Sequence, residues 1–223
     1  RGGAGTRPSL NLNFLSGTLD SRVTFSRTSN ATLVDSTGRV TYAPNNLVLR
    51  SEEFDDAAWT KTGVTVTANA TTAPNGTITA DKLVENTDVG AAHFVTMTSS
   101  PSLATGQFGI YSVYVKAAER TFFQLILTGI GPAGVFLAAG FDLTNGTAGV
   151  VTATATSTIT PVGDGWYRCS IMAPAVTASV VGGQIRLAAA ATGLSAATYT
   201  GNGTSGLFVW GAQFEQVTYQ TQP

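Results

Sequence analysis

Short runs of β-branched and aromatic residues recur along the chain between stretches rich in Gly, Asn and Pro, and no segment shows the 3.6-residue periodicity of a long amphipathic helix. Val64-Thr65-Val66-Thr67-Ala68 alternates strictly, which puts Val64, Val66 and Ala68 on one face of a half-buried strand. Residues 108–116 and 121–127 are rich in aromatic and β-branched side chains and flank the polar loop Ala117-Ala118-Glu119-Arg120, so they predict a central hairpin. Further strands are predicted over 78–84, 157–161, 165–173, 183–189 and 206–215, with 150–156 as an exposed edge strand. Pro74-Asn75-Gly76 and Asn145-Gly146 supply turns. The pattern predicts an all-β protein: one antiparallel β-sandwich from about Asn45 to Glu215, with Val64, Val66, Phe122, Ile126, Ile171 and Trp210 in its core.

The first 44 residues read differently. Residues 22–26 and 31–35 are strand-like, and the second pairs with 39–42 across Ser36-Thr37-Gly38 as a small hairpin at the end of an extended arm. This segment is too small to bury a core of its own, and Leu10, Leu12, Phe14 and Leu15 give it apolar area that needs a partner surface. The predicted organisation is therefore an attachment or oligomerisation arm over 1–44, a sandwich over 45–216 and a tail over 217–223. At the start of the sandwich, Ser51 followed by Glu52, Glu53, Asp55 and Asp56 resembles a helix amino-terminal cap and predicts one short helical turn.

Composition narrows the partners. Only 11% of the 223 residues are charged and the formal net charge is −1, so there is no clustered Lys and Arg footprint for nucleic acid or an anionic membrane. The longest apolar stretches fall far short of the about 20 residues of a bilayer span, which predicts a soluble protein with no membrane insertion. Arg1 to Thr6 lack the charged-then-apolar plan of a signal peptide and read as a flexible arm. Cys169 is the single cysteine, which excludes an intramolecular disulfide, and its alternating run Trp166-Tyr167-Arg168-Cys169-Ser170-Ile171 predicts a buried thiol.

Catalysis has little to build on. His93 is the sole imidazole, so any Ser, His and acid arrangement has to pass through it, and the alternation of 91–97 places it on the polar face of a strand. One His and one Cys do not make a zinc site, which takes three or four protein ligands. Glu52, Glu53, Asp55 and Asp56 form the one dense group of carboxylates, and adjacent acids in a polar turn read as a solvated face rather than a glycosidase pair. The chain is accordingly expected to be non-enzymatic and to require no cofactor. The five Asn-X-Thr matches carry no functional meaning, and three of them are Asn-Gly turns.

Five stretches together resemble a known module: 46–61, 73–83, Tyr111-Ser112-Val113-Tyr114-Val115-Lys116-Ala117, Gly163-Asp164-Gly165-Trp166-Tyr167-Arg168 and Leu207-Phe208-Val209-Trp210-Gly211-Ala212-Gln213-Phe214-Glu215. They resemble the carbohydrate-binding-module-like jelly-roll domains of tailed-bacteriophage and prophage virion proteins. Leu19-Asp20-Ser21-Arg22-Val23-Thr24-Phe25-Ser26-Arg27 is similar to a segment common near the start of phage tail proteins. The resemblance implies a protein of the virion, in a tail fibre, at the tail tip or on the capsid surface, that contacts other virion proteins. By analogy with phage fibres it implies a homotrimer with residues 10–25 in the assembly contact, and it implies recognition of host surface polysaccharide. Aromatic faces that stack on sugar rings are the usual tools for that task. Trp59 and Tyr199, beside loops, are the expected stacking residues, with His93 and Arg120 as polar companions, whereas Trp166 and Trp210 are assigned to the core. The same resemblance allows a structural calcium ion, for which Glu53, Asp81 and Glu215 are the candidate ligands. Two other readings stand beside this one: an architectural capsid decoration or tail adaptor, and a carbohydrate-binding module of a glycoside hydrolase.

Overall fold

The computed structural model describes residues 32–34, 40–42, 46–131, 137–151, 154–177, 179–190 and 197–217. The chain divides into two units, Arg1–Pro44 and Asn45–Pro223. In the first, β1 (Thr32–Val34) pairs antiparallel with β2 (Val40–Tyr42), Thr32 opposite Tyr42 and Val34 opposite Val40, which is the expected hairpin. The strand expected over 22–26 and the arm over 10–25 lie outside the described residues.

The second unit is an antiparallel sandwich of two six-stranded sheets. One sheet has the order β11 (Thr147–Val151), β10 (Leu137–Asp142), β9 (Phe122–Thr128), β15 (Gly182–Ala188), β6 (Phe94–Met97), β3 (Trp59–Thr62). The other runs β12 (Thr156–Gly163), β13 (Trp166–Pro174), β8 (Phe108–Ala117), β16 (Gly206–Val217), β5 (Ala80–Glu85), β4 (Val64–Thr71). Two short strands, β7 (Ser102–Leu103) and β14 (Ser179–Val180), pair separately. The two orders run in step, so that each strand stands at the position of its chain neighbour or near-neighbour in the other sheet, and β8 with β9, β10 with β13 and β15 with β16 meet across the core. This is the wrap of a jelly roll, and it follows from chain segments whose apolar residues recur every second position.

Alternation sorts the side chains. On β8 Tyr111, Val113 and Val115 are buried and meet Cys169 and Ile171 of β13 and Leu207 and Val209 of β16 on the inner side. Phe123, Leu125 and Leu127 of β9 line the opposing side, and Phe123 stacks on Phe141 with ring centroids 4.9 Å apart. The approach is close enough that a Cβ at Gly183 would lie 2.9 Å from the Tyr111 ring. Cys169 is buried as expected, and burial pushes its thiol pKa far up, which leaves it unreactive.

Three expectations are corrected. Residues 108–116 and 121–127 do not form a hairpin: β8 and β9 belong to opposite sheets and face each other, because both carry a continuous apolar inner face that is buried by packing rather than by pairing. Residues 51–59 form no helical turn but a chain of tight turns, closed by hydrogen bonds from Glu53 N to Arg50 O, Asp56 N to Glu53 O and Trp59 N to Asp56 O. Arg50 enters this segment with φ +54°, and Asp81 captures the backbone N–H of Phe54 at 2.8 Å, so the donors of a first helical turn are used otherwise. Val66, Phe122 and Trp210 are half-buried, not core residues, whereas Val64, Ile126 and Ile171 are buried. Among the described residues no helix is long and apolar enough to cross a membrane.

Candidate ligand-binding face

The four residues expected to bind a sugar do not form one exposed site. Trp59 is 1% exposed: as the first residue of β3 it points inward, its ring packs on Phe54 at 4.6 Å between centroids, and its indole N–H donates to Arg50 O at 2.9 Å. It presents no face to a ligand. His93 is likewise buried, not on a strand surface, with Nδ1 2.8 Å from Gly63 O and Nε2 3.2 Å from Tyr199 O. The strand begins one residue later, at Phe94, so the alternation read across 91–97 does not extend to it.

Tyr199, His93 and Arg120 are brought together, but around a buried carboxylate. Glu85, at the inner end of β5, accepts two hydrogen bonds from Arg120 (Nε at 2.7 Å, Nη2 at 2.6 Å), one from Tyr199 Oη at 2.6 Å and one from Asn202 N at 2.9 Å. The Arg120 guanidinium lies 4.9 Å from the Tyr199 ring centre, and the Tyr199 ring lies 4.5 Å from that of His93. Burial alone would raise the Glu85 pKa, yet the Arg120, Tyr199 and Asn202 hydrogen bonds together hold it below its ordinary value. Burial and the neighbouring Glu85 carboxylate push Tyr199 up. The hydrogen bonds to Glu85 tie Arg120, Tyr199 and Asn202 together and fix the loop after residue 197 to the end of the sheet.

The three carboxylates weighed for calcium do not make one donor set. Asp81 is buried, and its two oxygens accept the backbone N–H groups of Phe54 (2.8 Å) and Asn69 (2.9 Å), the latter aimed inward by a bulge in β4 where Asn69 has φ +53°. Burial raises its pKa, opposed by these two hydrogen bonds and reinforced by Asp55 and Glu53. Glu53 is exposed and pairs with Arg50. Glu215 stands opposite Ile110 and Val209, the residue opposite Asp81, stands opposite Val115, so Glu215 lies five sheet positions, about 17 Å, away along the strand. Among the described residues no group of three or more His, Cys, Asp and Glu side chains is placed to hold a metal ion.

The outer face of the second sheet is different. Backbone register sets its side chains in lanes across the strands. In one lane Trp166, Lys116, Phe208 and Lys82 are successive neighbours, and in the next Arg168, Tyr114 and Trp210. The third lane, Thr158, Ser170, Ser112 and Gln213, is wholly neutral and polar. Tyr114 and Trp210 are half-buried, packed against Ala73, Ala80 and Trp166, with ring centroids 5.3 Å apart and planes tilted by 55°, and the Trp210 indole N–H donates to Thr79 Oγ1 at 3.1 Å. The Arg168 guanidinium lies 5.7 Å from the Tyr114 ring centre and donates through Nη2 to Ser112 Oγ (3.4 Å) and Gln213 Oε1 (3.2 Å). Trp166, by contrast, is buried beneath the β4–β5 loop, with its N–H on Thr72 O, as its assignment to the core anticipated.

This phasing depends on a bulge in β16. Trp210 is opposite Tyr114 and Gln213 is opposite Ser112, so two residues are accommodated where one would normally stand. Gly211 sits in the bulge with φ +59°, and a Cβ there would lie 3.2 Å from the Tyr114 ring. Ala212 is turned inward and its N–H donates to Ser51 O. The sequence reading missed Tyr114, Trp210, Phe208 and Arg168 as surface groups. The signal was present in phase: Tyr111, Val113 and Val115 form one face of β8, so Tyr114 and Lys116 share the other, and Val209 facing inward turns Phe208 and Trp210 out.

No protein-family model matches the chain, and no curated protein matches it. Among solved structures, it is similar to the enzymatically active domain of bacteriophage CBA120 tailspike protein 4, with 16% identity and a TM-score of 0.46 over 77% of this chain and 21% of that one. The chain thus spans about a fifth of that tailspike chain's length. It is also similar to a carbohydrate-binding module of the β-sandwich superfamily, whose specificity is described as promiscuous, with 8% identity and a TM-score of 0.40 over 86% of this chain and 77% of that one. The class defined by the coordinates is an all-β, two-sheet sandwich.

Proposed function

We propose that the chain is a non-enzymatic polysaccharide-binding protein of a tailed-phage virion, and that it reads glycan on the outer face of the second sheet. The observation that carries the binding half is the Tyr114–Trp210 pair, partly accessible at the edge of the cluster under the β4–β5 loop, in a strand-ordered row with Arg168 and bordered by a lane of Ser, Thr and Gln side chains. Aromatic faces take the apolar faces of sugar rings, and a neighbouring polar lane satisfies hydroxyls, which is the division of labour a sugar site needs. The virion half rests on the sequence motifs that resemble phage tail and prophage proteins. In this reading residues 1–44 attach the sandwich to other virion proteins or to two further copies of the chain.

Titration of purified surface and capsular polysaccharides against the protein tests the binding half. At least one should bind, and Tyr114→Ala should weaken it roughly tenfold, the loss of about 1.4 kcal/mol of contact. Failure of every polysaccharide to bind, or binding indifferent to Tyr114→Ala and Trp210→Ala, would overturn the assignment of this face. Release of oligosaccharide during the incubation would overturn the non-enzymatic half. Detection of the protein in purified particles, and a change in mass by light scattering on removal of residues 1–43, test the virion and arm assignments.

A further inference from the structure

Charge on the binding face is unevenly distributed. Seven Lys and Arg residues lie between 46 and 217, and three of them, Lys82, Lys116 and Arg168, stand in the two lanes that hold the aromatic rings. Lys82 is paired with Glu119 at 2.8 Å. Arg168, opposite Tyr114 on β13, and Lys116, two residues along β8 from Tyr114, have no carboxylate partner among the described residues. The partners of Arg168 are neutral: Ser112, Gln213 and the Tyr114 ring.

The carboxylates that approach this face by register are otherwise placed. Glu119 is on Lys82, and Glu215 stands two lanes from Tyr114 beside Ile110, where it accepts from Gln213. Asp164 is in the β12–β13 turn beyond the end of the Lys116 lane. Both contacts of Arg168 use Nη2, so its remaining guanidinium N–H groups are open to an incoming acceptor. A guanidinium offers two parallel N–H bonds to a carboxylate, and an aromatic wall beside it excludes water from that contact and strengthens it.

We infer that the glycan taken by this face is acidic, a polysaccharide whose repeat carries a sugar carboxylate, with Arg168 receiving the carboxylate, Lys116 supplying a second positive charge and Tyr114, next to both, stacking on the ring. This rests on the reading of the face as a polysaccharide site and adds the chemical class of its ligand.

The test pairs each acidic capsular polysaccharide with its own carboxyl-reduced, neutral form, alongside neutral and phosphate-bearing polymers, with affinity measured by titration at low and high salt. Native uronate-type or sialate-type polymers should bind, and carboxyl reduction should weaken binding at least tenfold. Arg168→Gln should cost roughly tenfold, with part of it restored by Arg168→Lys, which keeps the charge but not the fork. Lys116→Gln should reduce the salt dependence, because exposed ion pairs are screened once the Debye length shrinks to a few Å. Thermal unfolding of Lys116→Gln should match that of the parent, and Arg168→Gln should lose only what its hydrogen bonds to Ser112 and Gln213 contribute and remain folded under the titration conditions.

Equal binding of native and carboxyl-reduced polymers, with sensitivity to Tyr114→Ala retained, would overturn the acidic class and leave the polysaccharide face standing. Preference for phosphate-bearing polymers alone would overturn the carboxylate assignment. Absence of binding to any polymer would remove the face itself.

Discussion

β5 carries two buried carboxylates four residues apart on the same inward side, and they are held in opposite ways. Glu85 sits against a cation: two hydrogen bonds from Arg120, one from Tyr199 and one from Asn202 surround it. Asp81 has no cation partner among the described residues; it receives two backbone N–H groups and is close enough to Asp55 and Glu53 to feel their charge. The first carboxyl is shifted down and the second up from their ordinary values of 4.5 and 3.8. Burial pushes both carboxyls upward, and the partners decide the outcome.

The largest expected effect is from Glu85→Gln, which leaves the Arg120 guanidinium without its anion and faces it with an amide; a loss of about 4 kcal/mol is expected in urea unfolding, as for a broken buried pair. Arg120→Gln should follow at about 3 kcal/mol, because the carboxylate keeps Tyr199 and Asn202 and then resembles Asp81. Tyr199→Phe removes one hydrogen bond to a charged group and should cost about 1.5 kcal/mol. Asp81→Asn should be the mildest, within about 1 kcal/mol at neutral pH, since it gives up an accepted N–H bond but also an unpaired charge. An Asp81→Asn loss larger than that of Glu85→Gln would reverse the comparison.

Acid titration sharpens it. The folded Glu85 carboxyl binds its proton less readily than the unfolded one, so its contribution is present above 4.5 and disappears as pH falls through the depressed value. Asp81 has the opposite sign: the folded state holds its proton more readily, so its cost is incurred above the raised value and is relieved on acidification. Unfolding measured against pH should therefore show less acid loss in Glu85→Gln than in the parent. Asp81→Asn should become relatively more destabilising as pH falls, because the parent's penalty then disappears.

Much of the fold was legible in the sequence. Alternation placed Val64, Ile171 and Cys169 inside, and the Asn-Gly pairs gave turns in which Gly76, Gly146 and Gly203 all have positive φ. What alternation does not contain is the partner of a strand: β8 and β9 look like a hairpin locally and prove to be opposite walls of the core, a choice made by packing area across the whole chain. The site was less legible. Trp59 stands beside a loop in sequence but is the lid of the core in space, and Trp210 sits in an apolar triplet yet faces outward because Val209 takes the inward position. The Glu85 network links residues 35 and 114 positions away from the carboxylate, a distance over which no local pattern carries information.

The bulge at Gly211 gives β16 the behaviour of a reading frame. Before it, even-numbered residues face the ligand side; after it, odd-numbered ones do, beginning with Gln213. Because the bulge holds the one extra residue, deletion of Gly211 would leave a regular strand with Trp210 and Gln213 outward and Ala212 and Phe214 inward, whereas straightening the bulge with Gly211 retained would send Phe214 toward water and Gln213 and Glu215 into the core. Loss of a single residue at this point therefore keeps the phase, while a loss or gain elsewhere in β16 flips one flank, so the alternation on either side of the bulge should be inherited more strictly than the spacing between Trp210 and Gln213.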